Sequence, residues 1–397
     1  MKNNRTFLEK LLDGSEVEWK PLIKVASLTR GRVISKEYLA NNLGDYPVYS
    51  SQTVNNGEIG KINSFDFDGE FVSWTTDGAN AGTVFYRSGK FSITNVCGLI
   101  KIQNNLELNY KFLFYWLSIE AKNHVYSGMG NPKLMSHQME KILIPIPPLP
   151  VQTEIVKILD ALTALTSELT SELTSELILR RKQYEYYREK LLSEEELGKV
   201  GFEWKTIDEI SKKISSGGTP ATSNNGYYDN GTIPWLRTQE VDFKEIWDTN
   251  IKITEDALNN SSAKWIPANC VIVAMYGATV GKTAINKIPL TTNQACANIE
   301  INDKLACYRY IFHYLTSKYE YIKSLGSGSQ TNINAQIIKK LKVPVPPIEE
   351  QQRIVSILNK FETLTNSITE GLPLAIEQSQ KRYEYYRELL LNFPGKE

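Results

Sequence analysis

The sequence of 397 residues has no long apolar run, no secretion signal, and little cysteine or histidine. A membrane-spanning helix needs about 20 consecutive apolar residues, and no run here reaches about 18. The N-terminus, MKNNRTFLEKLLDG, lacks the apolar segment of a signal peptide. These absences predict a cytoplasmic protein without a membrane span.

Cysteine and histidine are too few and too scattered for a disulfide framework or a zinc site. The four cysteines form no CxxC pair, and the three histidines are isolated from one another. The pattern predicts reduced, mostly buried thiols in a cytosolic protein and no metal site. The residues concerned are Cys97, Cys270, Cys296, Cys307, His124, His137 and His313.

The chain also has no excess of either charge, since 45 basic and 45 acidic residues give a net charge of zero. A protein that coats nucleic acid without sequence preference is expected to be strongly basic, so this class is disfavoured. A local basic surface, or one completed by a partner, stays compatible with the composition. Hydrophobic residues make up 41% of the chain and charged residues 23%, which is typical of a soluble globular protein of two or three domains.

What the sequence does contain is an internal repeat. Residues 145–160 read PIPPLPVQTEIVKILD, and residues 344–359 read PVPPIEEQQRIVSILN. YEYYREKLL at 184–192 returns as YEYYRELLL at 383–391, again 199 residues later. A chain built from two copies of one unit is expected to have a pseudo-two-fold axis. It then presents two similar surfaces to two copies of a partner, or to two half-sites of one ligand.

The repeat divides the chain into two variable blocks and two helical spacers. We predict an α+β fold in which two mixed α/β domains are separated by two long antiparallel spacer helices. Because EKLL precedes both blocks and ELLLNF closes the chain, the repeat is nearly cyclic, and the termini are expected to lie close together. The predicted divisions are an N-terminal segment at 1–17, block one at 18–144, spacer one at 145–202, block two at 203–343 and spacer two at 344–397.

Spacer one contains TSEL three times in tandem, at 166–169, 170–173 and 174–177. Ser-Glu-Leu repeats suit a helix with a leucine stripe, and this alone explains them. The sharper hypothesis is that they set length, because each repeat adds about 6 Å of helix and about 40° of rotation. In spacer two, Gly371 and Pro373 predict a kink or an interruption near Pro373.

With these features the chain resembles the specificity subunits of Type I restriction–modification systems over nearly its whole length. The junctions PIPPL and PVPPI and the helix starts QTEIVKILD and QQRIVSILN carry the likeness. Within the blocks it is carried by YPVYSSQTVNNGEIGKI (46–62), WTTDGANAGTVFYR (74–87), GGTPATSNNGYYDNGTIPWLRTQEV (217–241), ITEDALNNSSAKWIP (253–267) and YGATVGKTAI (276–285). The resemblance implies two target-recognition domains, each binding one half of a split double-stranded DNA site.

The resemblance also implies protein partners. These are two modification (methyltransferase) subunits and, for cleavage, restriction subunits, so the chain would direct adenine methylation and restriction by others. S-adenosylmethionine, ATP and Mg are then implied for the partner subunits, and no cofactor is expected on this chain. Tandem tetrapeptides also occur in the first spacer of some family members, so a change in repeat number is expected to change the gap between half-sites.

Base and phosphate contacts require polar or basic side chains on positioned loops. Any one such residue is also explained as a solvated loop residue. The DNA-binding candidates are Arg30, Arg32, Ser51, Gln52, Thr53, Thr75, Thr76 and Asn80 in block one, and Lys212, Lys213, Arg237, Thr238, Gln239, Thr279, Lys282, Gln330 and Asn332 in block two.

The identical YEYYRE segments favour a role shared by the two ends of the chain. Equivalent packing and docking of one modification subunit each both explain the identity, and both stay open. The docking candidates are Tyr184, Tyr187, Arg188, Tyr383, Tyr386 and Arg387.

Two other functions compete with this interpretation. An enzyme is disfavoured, with no catalytic residue predicted, because the chain lacks a [DNS]PP[FYW] tetrapeptide and a GxGxxG fingerprint. YGATVGKT also has only three residues between its glycines where a P-loop has four. A helical scaffold that bridges two partner subunits without reading bases is mildly favoured by zero net charge. Loops rich in Thr, Asn, Gln and Gly mildly oppose it.

Overall fold

The structure, a computed structural model, describes residues 6–127, 130–326, 332–367 and 370–395. The chain forms two compact units. Unit one comprises Met1–Glu172 and Ile376–Glu397, and unit two comprises Leu173–Ala375. Each unit therefore contains one variable block together with part of each helical spacer.

The described part of block one contains eight strands, and six of them form one sheet. Its strands are β1 (Glu18–Pro21), β2 (Ala26–Arg30), β3 (Leu43–Tyr49), β4 (Glu58–Ile62), β5 (Phe67–Thr75), β6 (Val84–Ile93), β7 (Cys97–Ile102) and β8 (Leu143–Ile146). The sheet order is β2-β7-β5-β6-β3-β4, with β3 and β6 parallel and the other neighbours antiparallel. β1 and β8 form a separate antiparallel pair. The helices are α1 (Phe7–Leu12), α2 (Leu22–Val25), α3 (Lys36–Asn41), α4 (Tyr110–Glu120) and α5 (Ser136–Met139).

The core of block one lies between the sheet and α4. Asn109 caps α4, because its side chain accepts hydrogen bonds from the backbone N–H groups of the first turn. Trp74 on β5 is fully buried, and its Nε1 donates to Leu134 O at 2.9 Å. Gly98 on β7 faces this indole, and a Cβ there would lie 2.0 Å from the ring, so only glycine fits.

Block two repeats the order of five of these six strands with different strand lengths, and the sheet has no counterpart of β4 among the described residues. Its strands are β9 (Glu203–Thr206), β10 (Ser211–Ser216), β11 (Ile233–Leu236), β12 (Lys244–Ile246), β13 (Lys252–Ile253), β14 (Trp265–Ile266), β15 (Val271–Ala274), β16 (Thr283–Asn286), β17 (Leu290–Thr292), β18 (Cys296–Ile301) and β19 (Lys342–Val345). The order β10-β18-β15-β16-β12 matches that of block one, including one parallel pair, β12 with β16. A second sheet, β13-β11-β17-β14, belongs to block two, and β9 pairs with β19.

The helical spacers form the rest of the repeat. α6 (Leu149–Leu191) is a continuous helix of 43 residues, about 64 Å long, and it contains all three TSEL repeats. The remaining helices are α7 (Glu194–Gly198), α8 (Glu255–Asn259), α9 (Tyr308–Ser317), α10 (Tyr319–Ser324), α11 (Ala335–Lys340), α12 (Ile348–Asn366) and α13 (Leu372–Leu391). The predicted mixed α/β architecture, with a long helix between two repeated domains, is confirmed.

The predicted interruption of spacer two is also confirmed, because α12 ends at Asn366 and α13 begins at Leu372. Gly371 has φ +94°, a left-handed conformation that favours glycine. Pro373 lies in the first turn of α13 rather than at a kink. A proline is tolerated there because the N–H that it lacks has no partner within the helix.

The terminal segments pack together, as the cyclic repeat predicts. Leu8 and Leu12 of α1 share one core cluster with Leu390 and Phe393. The Nε1 of Trp19 donates to Pro394 O at 3.0 Å. The four cysteines are free; three are buried and Cys307 is half-buried.

Candidate functional site

A glycine-rich turn between equivalent strands is preserved in both blocks, after β5 in unit one and after β15 in unit two. In the first, the N–H of Gly82 donates to Thr75 O at 2.9 Å, and in the second the N–H of Gly281 donates to Ala274 O at 2.8 Å. Both glycines have φ near +80°, at +79° and +81°. The repeat thus persists as backbone geometry where the sequences differ.

In unit one the turn gathers basic and acidic groups at one edge of the sheet. The Arg30 guanidinium donates to Asn95 O at 2.6 Å and lies 3.8 Å from the Asp77 carboxylate. Arg32 donates through Nε to Asp66 at 2.9 Å, and this hydrogen bond raises the pKa of Arg32 above its ordinary value. Both arginines are held in defined positions at the edge and are partly exposed.

The loop at residues 50–57 adjoins this edge. The Asn80 amide donates to Ser51 O at 3.4 Å, and the hydroxyls of Thr94 and Ser50 lie 3.0 Å apart. Gln52 and Thr53 are exposed at the loop surface. The structure therefore brings together candidates as far apart in the sequence as Arg30 and Asn80.

Thr75 and Thr76 lie at the same edge, but both side chains are completely buried. The Thr75 hydroxyl donates to Asn80 O, and the Thr76 hydroxyl donates to an Asp77 carboxylate oxygen at 2.7 Å. In this conformation the two threonines shape the turn and present no polar atom to a ligand.

The corresponding edge of unit two has different side chains. Thr279 in the glycine-rich turn donates its hydroxyl to Thr238 O at 2.7 Å, which joins the turn to the segment that follows β11. Lys282 donates to the Asp242 carboxylate at 2.6 Å, and Gln239 is exposed. Arg237 is half-buried, and its Nε has no hydrogen-bond partner among the described residues.

Four block-two candidates remain. Asn332 adjoins the edge, because the N–H of Ile333 donates to Met275 O at 3.0 Å, whereas Gln330 lies outside the described residues. Lys212 and Lys213 lie toward the end of β10 that faces Glu300, away from Ser216 and the turn. Lys212 pairs there with Asp303 at 2.9 Å. The structure does not bring these two lysines to the candidate edge.

The YEYYRE segments place their tyrosines in matching positions. The Tyr184 hydroxyl donates to the Glu362 carboxylate at 3.2 Å, and the Tyr383 hydroxyl lies 3.1 Å from that of Thr163. Arg188 lies over the Tyr184 ring, 5.3 Å from its centroid, and Arg387 lies over Tyr383 at 5.5 Å. These four residues make equivalent packing contacts in the two units.

The remaining tyrosines of the segments face outward to different degrees. Tyr187 stacks on Phe361 with centroids 5.6 Å apart, while Tyr386 is 43% exposed. Tyr186 and Tyr385 are 57% and 61% exposed. Neither residue is among the docking candidates predicted from the sequence, although the identity of the pair across the repeat is a signal that could have found it.

Each inward tyrosine belongs to a polar network between a block helix and the spacers. In unit one, Lys111 and Tyr115 of α4 donate to Asp160 of α6 at 2.5 and 2.7 Å. In unit two, Arg309 of α9 donates to Asn359 of α12 and to Glu362, both at 2.9 Å.

His313 completes the unit-two network. It is fully buried, and its Nδ1 lies 3.4 Å from the Tyr184 hydroxyl. Burial lowers the pKa of His313 to about 3, and burial also raises the pKa of Glu362. The histidine is therefore neutral at physiological pH.

Neither a metal cluster nor a membrane helix is found in the part of the chain that the structure describes. No group of three or more His, Cys, Asp or Glu side chains there is placed to hold a metal ion. No helix there is long and apolar enough to cross a membrane.

Comparisons with known proteins agree on one family. The sequence profile described as Type I restriction modification DNA specificity domain matches residues 15–178 and 199–378. A putative type I restriction enzyme specificity subunit from Haemophilus influenzae is 41% identical, over 99% of this chain and 100% of its own. The EcoR124I/EcoR124II specificity subunit from Escherichia coli is 37% identical, over 99% and 98%.

Solved structures share the fold at low sequence identity. The HsdS subunit from Thermoanaerobacter tengcongensis superposes with a TM-score of 0.54 at 16% identity, covering 95% of this chain and 96% of its own. A chain from a structural study of complex assembly in the type I restriction–modification system gives a TM-score of 0.59 at 16% identity, covering 95% and 97%.

Proposed function

The chain belongs to the family of Type I restriction–modification specificity subunits, and we propose that it binds a bipartite DNA site, one half through each unit. The observation that carries the proposal is the glycine-rich turn with its polar edge. Both units present the same backbone at the same place in the same sheet order, but with different side chains. With a shared backbone and different side chains, the two units would bind two different base sequences in the same manner.

The chemistry of the two edges supports this role. Arg and Lys pair with guanine or phosphate, and Asn and Gln pair with adenine. Unit one offers Arg30, Arg32 and Gln52, and unit two offers Arg237 and Gln239. Since Arg30, Arg32 and Lys282 each have an acidic neighbour, DNA phosphate would compete with a carboxylate for these cations.

The proposal assigns catalysis to partners. Two modification subunits methylate adenine with S-adenosylmethionine, and restriction subunits that use ATP and Mg cleave the DNA. The exposed pair Tyr186 and Tyr385 offers one equivalent aromatic contact in each unit for these modification subunits. With no catalytic residue proposed on this chain, we expect it to have no methyltransferase activity alone. A cytoplasmic location follows from the proposed DNA substrate.

The rival proposal, a helical scaffold that bridges partners without reading bases, is disfavoured by family membership. The scaffold proposal also does not explain why the polar side chains differ between the edges of the two units. The two proposals differ in one observable. A scaffold leaves the methylated sequence unchanged when the recognition loops are altered, whereas a specificity subunit changes it.

The test is genome-wide methylation mapping in cells that express this chain with its modification subunit. We expect a bipartite methyl-adenine motif with a fixed gap, which is lost when the chain is omitted. Methylation that is identical without the chain, despite a stable complex, would contradict the proposal.

A further inference from the structure

Unit one contains a buried cation that the candidate edge does not explain. Arg87 on β6 is only 3% exposed and forms no ion pair within 4.0 Å among the described residues. Its Nε donates to the Ser73 hydroxyl at 3.1 Å. The guanidinium lies over the rings of Tyr49 and Phe85, 3.6 and 4.4 Å from their centroids. Burial lowers its pKa to about 10, so it is still charged at neutral pH.

The remaining donors of this guanidinium reach the loop at residues 50–57. Nη1 donates to Asn56 O at 2.9 Å. A Cβ on Gly57 would lie 3.1 Å from Nη2, so the loop backbone rests directly on the guanidinium. Arg87 therefore links the buried face of β5 and β6 to the inner side of the loop.

The loop has an unfavourable backbone conformation, which Arg87 supports together with hydrogen bonds from Ser50 N–H to Gly57 O at 2.8 Å and from Gln52 Nε2 to Glu58 O at 2.5 Å. Asn55, Asn56 and Gly57 are three consecutive residues in the left-handed region, with φ of +50°, +52° and +80°. Asparagine tolerates this conformation better than other non-glycine residues, but two in succession are unfavourable for an isolated chain. The loop surface is exposed, with Val54 at 77%, so burial of its own side chains contributes little to its shape.

The equivalent position in β16 of unit two is Asn286, and its side chain forms hydrogen bonds with a different segment. It is fully buried, and its amide donates to Pro267 O and Ile288 O at 2.7 and 2.9 Å. A buried polar side chain holds a neighbouring segment in both units, but the held segment precedes β15 in unit two. The link from Arg87 to residues 50–57 is thus a property of unit one.

We propose that Arg87 is the positioning residue for base readout by unit one, and that it fixes the 50–57 loop without touching DNA. The inference rests on the proposed function, since it assigns Ser51, Gln52 and Thr53 to the first half-site. A base-reading side chain must be held to within about 0.5 Å of its productive place. Loss of this link should therefore relax the sequence preference of the first half-site and leave the second unchanged.

The experiment compares Arg87→Met, Arg87→Lys and the exposed control Arg353→Met in the full chain, expressed with the modification subunit. Methylation mapping gives the base preference at each position of both half-sites. For Arg87→Met we expect about a tenfold loss of discrimination at one or more bases of the first half-site. Arg87→Lys keeps the charge but not the planar fork, so it should show a smaller loss at the same bases. The control should match the wild type.

The outcomes separate the inference from its premise. If the wild-type chain directs no bipartite motif, the proposed function fails. If the wild-type motif is present and both Arg87 variants keep the first half-site unchanged, the positioning role is wrong. Equal loss of preference at both half-sites would indicate a purely structural role and would also overturn it. If Arg87→Met does not fold, Arg87→Lys decides between these results.

Discussion

The two units solve the same structural problem with different chemistry. In unit one the helix α4 is joined to α6 by Lys111, Tyr115 and Asp160, and the Lys111–Asp160 pair is well exposed, at 40% and 39%. In unit two the equivalent residues of α9 and α12 are Arg309, His313 and Asn359, and Arg309 is only 18% exposed. Residues that touch one another have changed together, so the repeat preserves the junction but not its charges.

The candidate edges differ in the same way. The backbone hydrogen bonds within the glycine-rich turn correspond in the two units, whereas the side chains on it differ. Arg30 and Asn80 occupy the edge of unit one, and Thr279 and Lys282 occupy that of unit two. The backbone is therefore the conserved part of the proposed reader, and the side chains are its variable part.

The largest expected effect comes from shortening α6, the helix that contributes residues to both units. Deletion of residues 170–173 removes one TSEL repeat from α6, which shortens it by about 6 Å and rotates one end by about 40°. We predict that both half-sites persist and that the gap between them shortens by about one base pair. One base pair corresponds to about 3.4 Å along the DNA helix axis. Methylation mapping measures the gap directly, and an unchanged gap would refute the length-setting role.

A second prediction sharpens the contrast between the junction networks. Arg309→Met leaves the largely buried Glu362, 19% exposed, without its cation and should lower the free energy of unfolding of unit two by about 3 kcal/mol. The matched variant Lys111→Met removes an exposed pair and should cost at most about 1 kcal/mol in unit one. Hydrogen exchange resolved by peptide separates the two units. Equal losses in both would show that the difference in burial has no energetic consequence.

The smallest predicted effect is a difference in pH dependence. The folded-state pKa of His313, about 3, lies below its ordinary value of 6.5, so the unfolded chain takes up the proton first. The contribution of His313 to stability is complete above pH 6.5 and falls as the pH is lowered toward 3, by up to about 2 kcal/mol at pH 5.

Other groups act on the same site. The raised pKa of Glu362 works in the opposite direction, because its folded form takes up a proton first, and Arg309 and Arg188 further disfavour the imidazolium. Unfolding of wild type and His313→Gln at pH 7 and pH 5 isolates the histidine. The variant should lose less stability on acidification. An equal loss would contradict the assignment.

The sequence predicted the architecture well where the repeat is explicit. The repeat predicted the long spacer helix, Gly371 and Pro373 predicted the interruption before α13, and the cyclic ends at ELLLNF predicted the packed termini.

The site was less predictable, because burial of a polar side chain depends on neighbours that only the fold supplies. Thr76 and Asn80 look alike as turn residues, yet Thr76 is buried against Asp77 and Asn80 reaches the adjoining loop. Lys212 looks like a phosphate ligand until the register of β10 places it beside Asp303. Arg87 ends the segment WTTDGANAGTVFYR, but nothing in that segment predicts its contact with the loop at residues 50–57, and only the fold identifies it.

One chimaera tests the central claim, that each unit reads its own half-site on a common scaffold. In it, residues 18–144 are replaced by a second copy of residues 203–343, and the methylated motif is mapped with the modification subunit present. The account predicts a motif made of two copies of the half-site of unit two, inverted because of the predicted pseudo-two-fold axis. A motif that still contains the half-site of unit one would contradict it.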